Sequence, residues 1–156
     1  MADVNRYRTS APGFDPRLFL RDEELDYGIT LMLAGERVLM RQANHLADLA
    51  KIPQLAARTL IAIRFAPGPS VSALRDQLDA TVPTFARILG ELDRKGLIER
   101  RPSRADARRR TLYLTTEGKR MTDPAAIAMR NTLRDAYRRA GASAVAGARS
   151  VLEALS

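Results

Sequence analysis

The densest group of charged side chains lies between residues 100 and 110, where six arginines flank one aspartate. Guanidinium groups donate hydrogen bonds in a fixed fork that suits phosphate oxygens and guanine edges. The rest of the chain offers little for catalysis or metal binding, since it has no cysteine and only one histidine, His45. These residues therefore indicate recognition of a polyanion. They are Arg100, Arg101, Arg104, Arg108, Arg109 and Arg110, with Asp106 among them.

The overall composition agrees with a polyanionic partner. The 156 residues carry a formal net charge of +8, which favours nucleic acid or an anionic membrane. No apolar run of about 18 residues and no secretory signal is present, so we expect a cytoplasmic protein that is not membrane-bound. Without cysteine, and without a nucleophile, phosphate-loop or metalloprotease motif, we expect no enzymatic activity, no cofactor and no metal site.

The elements around the arginines are two short helices followed by a hairpin. Ser70 opens the first short helix, and Thr81 opens the second, which runs to Lys95 and stops at Gly96. The apolar alternation then predicts strands near Leu97–Arg101 and 109–114. A third, very short strand near Ser70 is possible on the same pattern. The predicted fold is mainly α with a small β-wing.

Longer helical patterns precede and follow this segment. The first helix begins at Asp15-Pro16 or at Asp22 and ends before Pro53, and a second runs from Pro53 to about Ala66. A long helix follows Thr115 or Thr116 and reaches about Arg139. Pro124 is expected to kink or split it. A last helix follows Gly141-Ala142-Ser143.

The central segment resembles the MarR family of winged helix-turn-helix regulators. Residues 81–87 are similar to the start of that family's recognition helix, and residues 89–100 are similar to its exit into the wing. The signature D-x-R-x(5)-L-T-x-x-G is matched by Asp106, Arg108, Leu114, Thr115 and Gly118. The resemblance implies a homodimer that binds duplex DNA.

Specific residues follow from placing DNA against these elements. In the recognition helix, Thr84 and Arg87 lie three residues apart and share an outward face, with Pro83 beside them. Arg87 suits a guanine edge. Ser70, Ser72 and Thr81 open helices, where they act as caps or phosphate contacts. On the inward face of the recognition helix we expect Val82, Phe85, Ile88, Leu89 and Leu92.

In the wing, the same placement favours minor-groove and phosphate contact by Arg104, Arg108, Arg109 and Arg110. We place Arg104 at the tip. Asp106 is expected to orient an arginine through a bidentate ion pair, and Arg108 is the arginine we favour as its partner. Which arginine enters the groove is left open by the sequence.

The domain organisation is predicted as an arm over residues 1–14 and one MarR-like domain over residues 15–156. Its DNA-binding lobe covers about residues 53–118. The flanking helices, about 15–51 and 119–156, have apolar faces without an internal partner, which predicts a two-fold dimer. Such a dimer presents its recognition helices to half-sites of a near-palindromic operator roughly 34–36 Å apart.

The resemblance also implies repression, since the family is mostly repressive, and release by a small anionic aromatic ligand; the sequence itself leaves activation open as the alternative. His45 and Arg64 are the candidates for facing such an anion, although each also fits an ordinary surface or core-edge residue. Met32, Met40 and Phe65 fit plain core better than a ligand pocket. The alternative function is a nonspecific basic nucleic-acid-binding or architectural protein, because charge alone produces salt-sensitive DNA binding.

Overall fold

The computed structural model describes residues 21–103 and 110–155, which form six helices and two strands. The predictions for the arm, for Arg104, Asp106, Arg108 and Arg109, and for a helix start at Asp15-Pro16 concern residues outside these ranges. The elements are α1 (Asp22–Ala50), α2 (Gln54–Phe65), α3 (Val71–Gln77), α4 (Val82–Arg94), β1 (Ile98–Pro102), β2 (Arg110–Leu114), α5 (Thr116–Ala140) and α6 (Ala142–Leu155). No helix in the described part of the chain is long and apolar enough to cross a membrane.

The chain divides into two compact units. One is Gly35–Thr132, and the described part of the other comprises residues 21–34 and 133–155. The first unit holds the hydrophobic core, in which α2, α3, α4 and the two strands bury their apolar faces. Its fully buried side chains include Leu60, Ile63, Leu74, Phe85, Ile88, Leu89, Leu92, Leu97 and Leu112. This core fixes the short helices and the hairpin against one another.

The two short helices begin and end as their sequences predict. The Ser70 hydroxyl accepts a hydrogen bond from the Ala73 N–H at 3.1 Å and caps α3. A tight turn with Asp79 at a φ of 48° leads to α4, and Gly96 at a φ of 66° follows α4. Thr81 occupies the N-cap position of α4, but its side chain caps no backbone N–H. The side-chain cap expected at Thr81 is therefore wrong.

The wing is an antiparallel pair in which Ile98 lies opposite Leu114 and Arg100 opposite Leu112. The expected third strand is present as an isolated bridge between Ser70 and Thr111. Because strand side chains alternate between faces, Arg100 and Arg110 share the face of the buried Leu112. Arg101 and Tyr113 share the opposite, outer face.

The long helix α5 begins at the signature Leu-Thr-x-x-Gly. The Thr115 hydroxyl donates to the Gly96 carbonyl at 2.6 Å and accepts from the Gly118 N–H at 3.0 Å. A Cβ at Gly118 would overlap the Leu97 carbonyl oxygen. The motif therefore ties the start of α5 to the exit of α4. α5 then continues through Pro124, so the alternative in which Pro124 splits this helix is wrong. Pro124 is exposed, so solvent can satisfy the carbonyl that loses its donor.

The second unit has little buried apolar surface of its own. None of the described residues of α6 is buried. Large apolar side chains stand exposed on α1 and α6, among them Leu25, Ile29, Leu33, Val151, Leu152 and Leu155. Met32 is also 42% exposed, so the expectation that it lies in a plain core is wrong for a single chain.

Candidate nucleic-acid interface

The outward face of α4 carries small or basic side chains along one stripe. Pro83, Ala86, Arg87 and Arg94 are exposed, and Gly90 between them is half-buried. These positions recur at three and four residues and so lie on one side of the helix. Because most of these side chains are small, another surface can approach this side of α4 closely. Arg87, near the middle of the stripe, offers hydrogen-bond donors to that surface.

The opposite face of α4 is buried, and four of the five residues predicted to pack inward do so. Phe85, Ile88, Leu89 and Leu92 pack into the core as expected. Val82 is 62% exposed, so the expectation that it packs inward is wrong. It is the first residue of α4, where no preceding helical turn covers the side chain, and it lies at the edge of a cleft instead.

The cleft lies between the two short helices and the inner face of the wing and has a volume of about 570 Å³. Its polar lining combines the hydroxyls of Ser70 and Ser72 with the guanidinium groups of Arg75, Arg100 and Arg110. Apolar side chains, including Val82 and Ala86, form the rest. A basic cleft with hydroxyl donors suits a chain of phosphates.

Arg100 is held in this cleft by an ion pair to α4. Its Nε donates to Asp93 Oδ2 at 2.9 Å, and the nearest guanidinium–carboxylate distance is 2.7 Å. Both side chains are only partly exposed, so the pair is screened less than a fully solvated one. It joins the C-terminal turn of α4 to β1 and fixes the wing relative to the stripe. Asp93 and Arg75 had no signal in the sequence beyond lying near the two short helices.

Two threonine hydroxyls meet where α4 begins. Thr81 Oγ1 donates to Thr84 Oγ1 at 2.9 Å. The bond leaves the proton of the Thr84 hydroxyl free for another acceptor. Thr84 is half-buried, so of the outward residues proposed from the sequence, Pro83 and Arg87 are the more accessible.

The outer face of the wing has its own arginine. The Arg101 guanidinium carbon lies 4.5 Å from the centroid of the Tyr113 ring, and Arg101 also pairs with Glu99. The Tyr113 hydroxyl lies against Gly68, where a Cβ would come within 2.7 Å of its oxygen. Gly68 has a φ of +89°, so two constraints favour glycine at this position.

The two candidates for ligand binding occupy separate places within the first unit. His45 is exposed in a groove of about 370 Å³ that Arg120 and Met121 also line. Arg64 lines a smaller cavity of about 140 Å³ and pairs with Asp123. The structure therefore does not bring His45 and Arg64 into one site.

The apolar residues considered with them also differ from the expectation of plain core. Phe65 is 45% exposed and lies beneath Arg130, whose guanidinium carbon is 5.4 Å from the ring centroid. Only Met40 packs against the core as expected. In the described parts of the chain, no group of three or more carboxylate or imidazole side chains could hold a metal ion.

Comparison with known proteins identifies relatives of this chain by sequence. The sequence model of the MarR family matches residues 50–109. The HTH-type transcriptional regulator PetP of Rhodobacter capsulatus is 37% identical over 147 residues, which cover 94% of this chain and 89% of PetP. The transcriptional regulator HosA of Escherichia coli O157:H7 is 37% identical over 81 residues, or 52% of this chain and 58% of HosA.

Solved structures agree in fold. NadR in complex with 4-hydroxyphenylacetate has a TM-score of 0.68 at 21% identity, over 88% of this chain and 97% of NadR. Staphylococcus aureus MepR in its DNA-binding conformation has a TM-score of 0.59 at 22% identity, over 83% of this chain and 98% of MepR. The winged helix-turn-helix predicted from the sequence is thus confirmed, and the function is regulatory rather than enzymatic. The chain belongs to the MarR family of transcriptional regulators.

Proposed function

We propose that this regulator binds a near-palindromic duplex operator as a homodimer. The recognition helix α4 enters the major groove, and the wing reaches along the backbone to the adjoining minor groove. The observation that carries this proposal is the exposed stripe of α4 standing beside a cleft lined by three arginines and two serines. One surface thus offers both base contact and phosphate contact.

The residues divide into two roles on this proposal. Arg87 reads a guanine edge, and Pro83 and the Thr84 hydroxyl approach neighbouring bases or a phosphate. Ser70, Ser72 and Arg110 hold the phosphate chain, because their side chains line the cleft. Arg100, one of the six arginines of the run, and Arg75, which the sequence alone did not single out, join this second group because they line the same cleft. The wing-tip residues Arg104, Asp106, Arg108 and Arg109 keep the roles that the sequence predicts.

The dimer is proposed from the exposed apolar side chains of α1 and α6. Burying side chains of this kind releases about 25 cal/mol per Å² of apolar surface, and nothing within the described part of α6 buries its own. A second copy of the chain supplies the matching surface, because a two-fold interface pairs the same patch with itself. The two copies then present two α4 helices to the two half-sites.

We further propose that the regulator represses its target and is released by a small anionic ligand. Support comes from NadR, which shares the fold and was solved with 4-hydroxyphenylacetate. Support also comes from two recesses of the first unit that carry basic side chains. A ligand that binds the released state better shifts the equilibrium away from DNA by its difference in affinity.

The experiment compares Arg87→Ala with Arg58→Ala on two labelled duplexes. One duplex is the DNA upstream of the protein's own gene, and the other is a scrambled copy. Arg58 is an exposed arginine of α2 that pairs with Glu36 and lines no part of the cleft, so its loss removes the same charge elsewhere. Binding is measured by fluorescence anisotropy at two salt concentrations.

We expect Arg87→Ala to lose about 1–3 kcal/mol on the upstream duplex and little on the scrambled one, while Arg58→Ala resembles the wild type. Equal losses on both duplexes would contradict base contact by Arg87. Equal wild-type binding to both duplexes that disappears with salt would favour the alternative, a nonspecific duplex binder, which the net charge of +8 also allows.

A further inference from the structure

Val82, the first residue of α4, is a large apolar side chain that faces solvent. Its exposed fraction is 62%, and among the described residues between 52 and 118 the only other large apolar side chain that is exposed is that of Phe65, at 45%. Phe65 has a partner within the fold, since the Arg130 guanidinium lies over its ring. Val82 instead lies at the edge of the cleft, so its methyl groups are open to whatever approaches α4.

The fold itself does not account for a valine at this position. A β-branched residue is less favourable in a helix than alanine, and Val82 gains little packing in return because it remains exposed. The buried face of α4 is complete without it, since Phe85, Ile88 and Leu89 fill the core. A residue that departs from local preference without a clear gain inside the chain points to a function outside it.

Val82 begins a row of side chains that leads along the outward side of α4. Ala86 and Gly90 follow at intervals of four residues, which places the three positions on one ridge of the helix. The side chains become smaller along this ridge, so Val82 reaches furthest from it, at the end where recognition helices contact base edges. Val82 and Ala86 also line the cleft with Arg75, so a strand whose phosphate is held there brings its bases to Val82.

We propose that Val82 reads the 5-methyl group of a thymine in each half-site of the operator. Thymine is the one base of the four that carries a methyl group in the major groove, while the other groups exposed there donate or accept hydrogen bonds. A valine set against those groups alone would desolvate them without replacing their bonds. The side chain therefore favours thymine and disfavours the other bases at the same base pair.

The thymine contact deepens the proposed DNA-binding function and rests on it. Arg87 selects a guanine by hydrogen bonds, and Val82 adds a thymine by apolar contact, so the half-site contains both bases. The contact is suited to specificity because valine has one strongly preferred rotamer in a helix, so little side-chain freedom is lost on binding. The first turn of α4 contains no acidic residue that would oppose the approach of the phosphates.

The test uses a duplex that the wild-type chain selects from a random pool of sequences. The duplex is made once with thymine and once with deoxyuridine at every thymine position, which removes the methyl groups and keeps the hydrogen-bonding edges. Fluorescence anisotropy at one salt concentration gives both dissociation constants, and their ratio is the methyl effect. Burial of one methyl group corresponds to about a fourfold change in affinity. With one contact in each half-site, we expect a methyl effect of roughly 10- to 20-fold in the wild type.

Two substitutions locate the contact. Val82→Ala removes both methyl branches of the side chain, and the protein should unfold at or slightly above the wild-type temperature because alanine is the better helix former. We expect its methyl effect to fall to about twofold or less, as in a double-mutant cycle between side chain and base. Val38→Ala is the matched control, because it makes the same change on α1 at a side chain that is 37% exposed and does not line the cleft. It should keep the methyl effect of the wild type.

Several results would overturn the role of Val82. An equal methyl effect in the wild type and in Val82→Ala would assign the thymine contact to another residue. A methyl effect that also disappears in Val38→Ala would mean that the loss is not specific to α4. If the pool yields no preferred sequence, the proposed function fails and the thymine contact fails with it. If a sequence is preferred but the wild type binds both duplexes equally, only the thymine contact fails.

Discussion

Replacing the glycine in the middle of α4 by alanine should raise the stability of the protein and lower its affinity for DNA. Gly90 lies inside α4, and a Cβ built at this position meets no atom within 4 Å. A glycine in a helix interior is less favourable than alanine by about 0.5–1 kcal/mol. Because the fold leaves room for the methyl group, Gly90→Ala should stabilise the protein by about this amount. That corresponds to a rise in Tm of roughly 1–4 °C for a chain of this size.

The same methyl group should weaken binding to the operator. Gly90 lies on the stripe with Ala86, Arg87 and Arg94, which on our proposal faces the floor of the major groove. A methyl group inserted between closely packed surfaces costs about 1–3 kcal/mol, or about 5- to 150-fold in affinity. No packing within the fold accounts for glycine here, so close approach of DNA is the physical reason we give for it.

The assay measures thermal unfolding and DNA anisotropy on the same preparations, at one protein concentration because the Tm of a dimer depends on concentration. Gly35→Ala is the matched control. Gly35 is also a glycine within a helix, in α1, with open space around a built Cβ. It should gain similar stability and keep its DNA affinity. A Gly90→Ala protein that is more stable and binds the operator as tightly as the wild type would refute the placement of this stripe in the groove.

Two further predictions concern the start of α5. Thr115→Val removes a hydroxyl that bonds both the Gly96 carbonyl and the Gly118 N–H, so we expect chemical denaturation to show a loss of about 1–3 kcal/mol; an unchanged free energy of unfolding would contradict this role. The hydrogen bond from Arg120, with a smaller contribution from its charge, lowers the pKa of the Glu117 carboxyl. Arg120→Ala should raise that pKa in a carbon NMR titration, and an unmoved titration curve would argue against the pair in solution.

Much of the DNA-binding lobe could be predicted because its signals are local. Gly96 ends a helix by its own backbone freedom, and the alternation of Leu112 and Leu114 sets which face of the strand is buried. Thr115 and Gly118 are separated by one helical turn, so their motif describes a single cap. Each of these features depends on residues close together in the chain.

The wrong predictions arise where the outcome depends on residues distant in the chain or on the end of a helix. Val82 follows the apolar period of α4, but the first turn of a helix has no preceding turn to shield it. Arg64 could not be assigned because its partner, Asp123, lies 59 residues away. His45 and Arg64 carry similar signals in the sequence, yet they line different recesses. The spacing of apolar residues predicts which face of a helix is buried, but it does not predict which residues that face contacts.

The arginine run shows how one charged segment divides into two surfaces. Read along the chain, residues 100 and 101 belong to one basic stretch, but a strand directs neighbouring side chains to opposite faces. Arg100 therefore faces the cleft and pairs with Asp93, while Arg101 lies over Tyr113 on the outer face beside Lys119. A slip of one residue in β1 would exchange these faces and place the charge of Glu99 where Ile98 is buried.

The wing register is held by features of the inner face and of its neighbours. Leu112 is fully buried, its N–H bonds the Pro69 carbonyl at 3.0 Å, and its carbonyl accepts from the Gly68 N–H at 3.0 Å. The Arg100–Asp93 pair adds a side-chain link to α4. The segment before α3 and the recognition helix thus both fix which arginines face the cleft. Because Gly68 also lies against the Tyr113 hydroxyl, the same short segment contacts β2 at Leu112 and at Tyr113, on both faces of the strand, so a change in this segment would disturb the placement of Arg110 on the same strand.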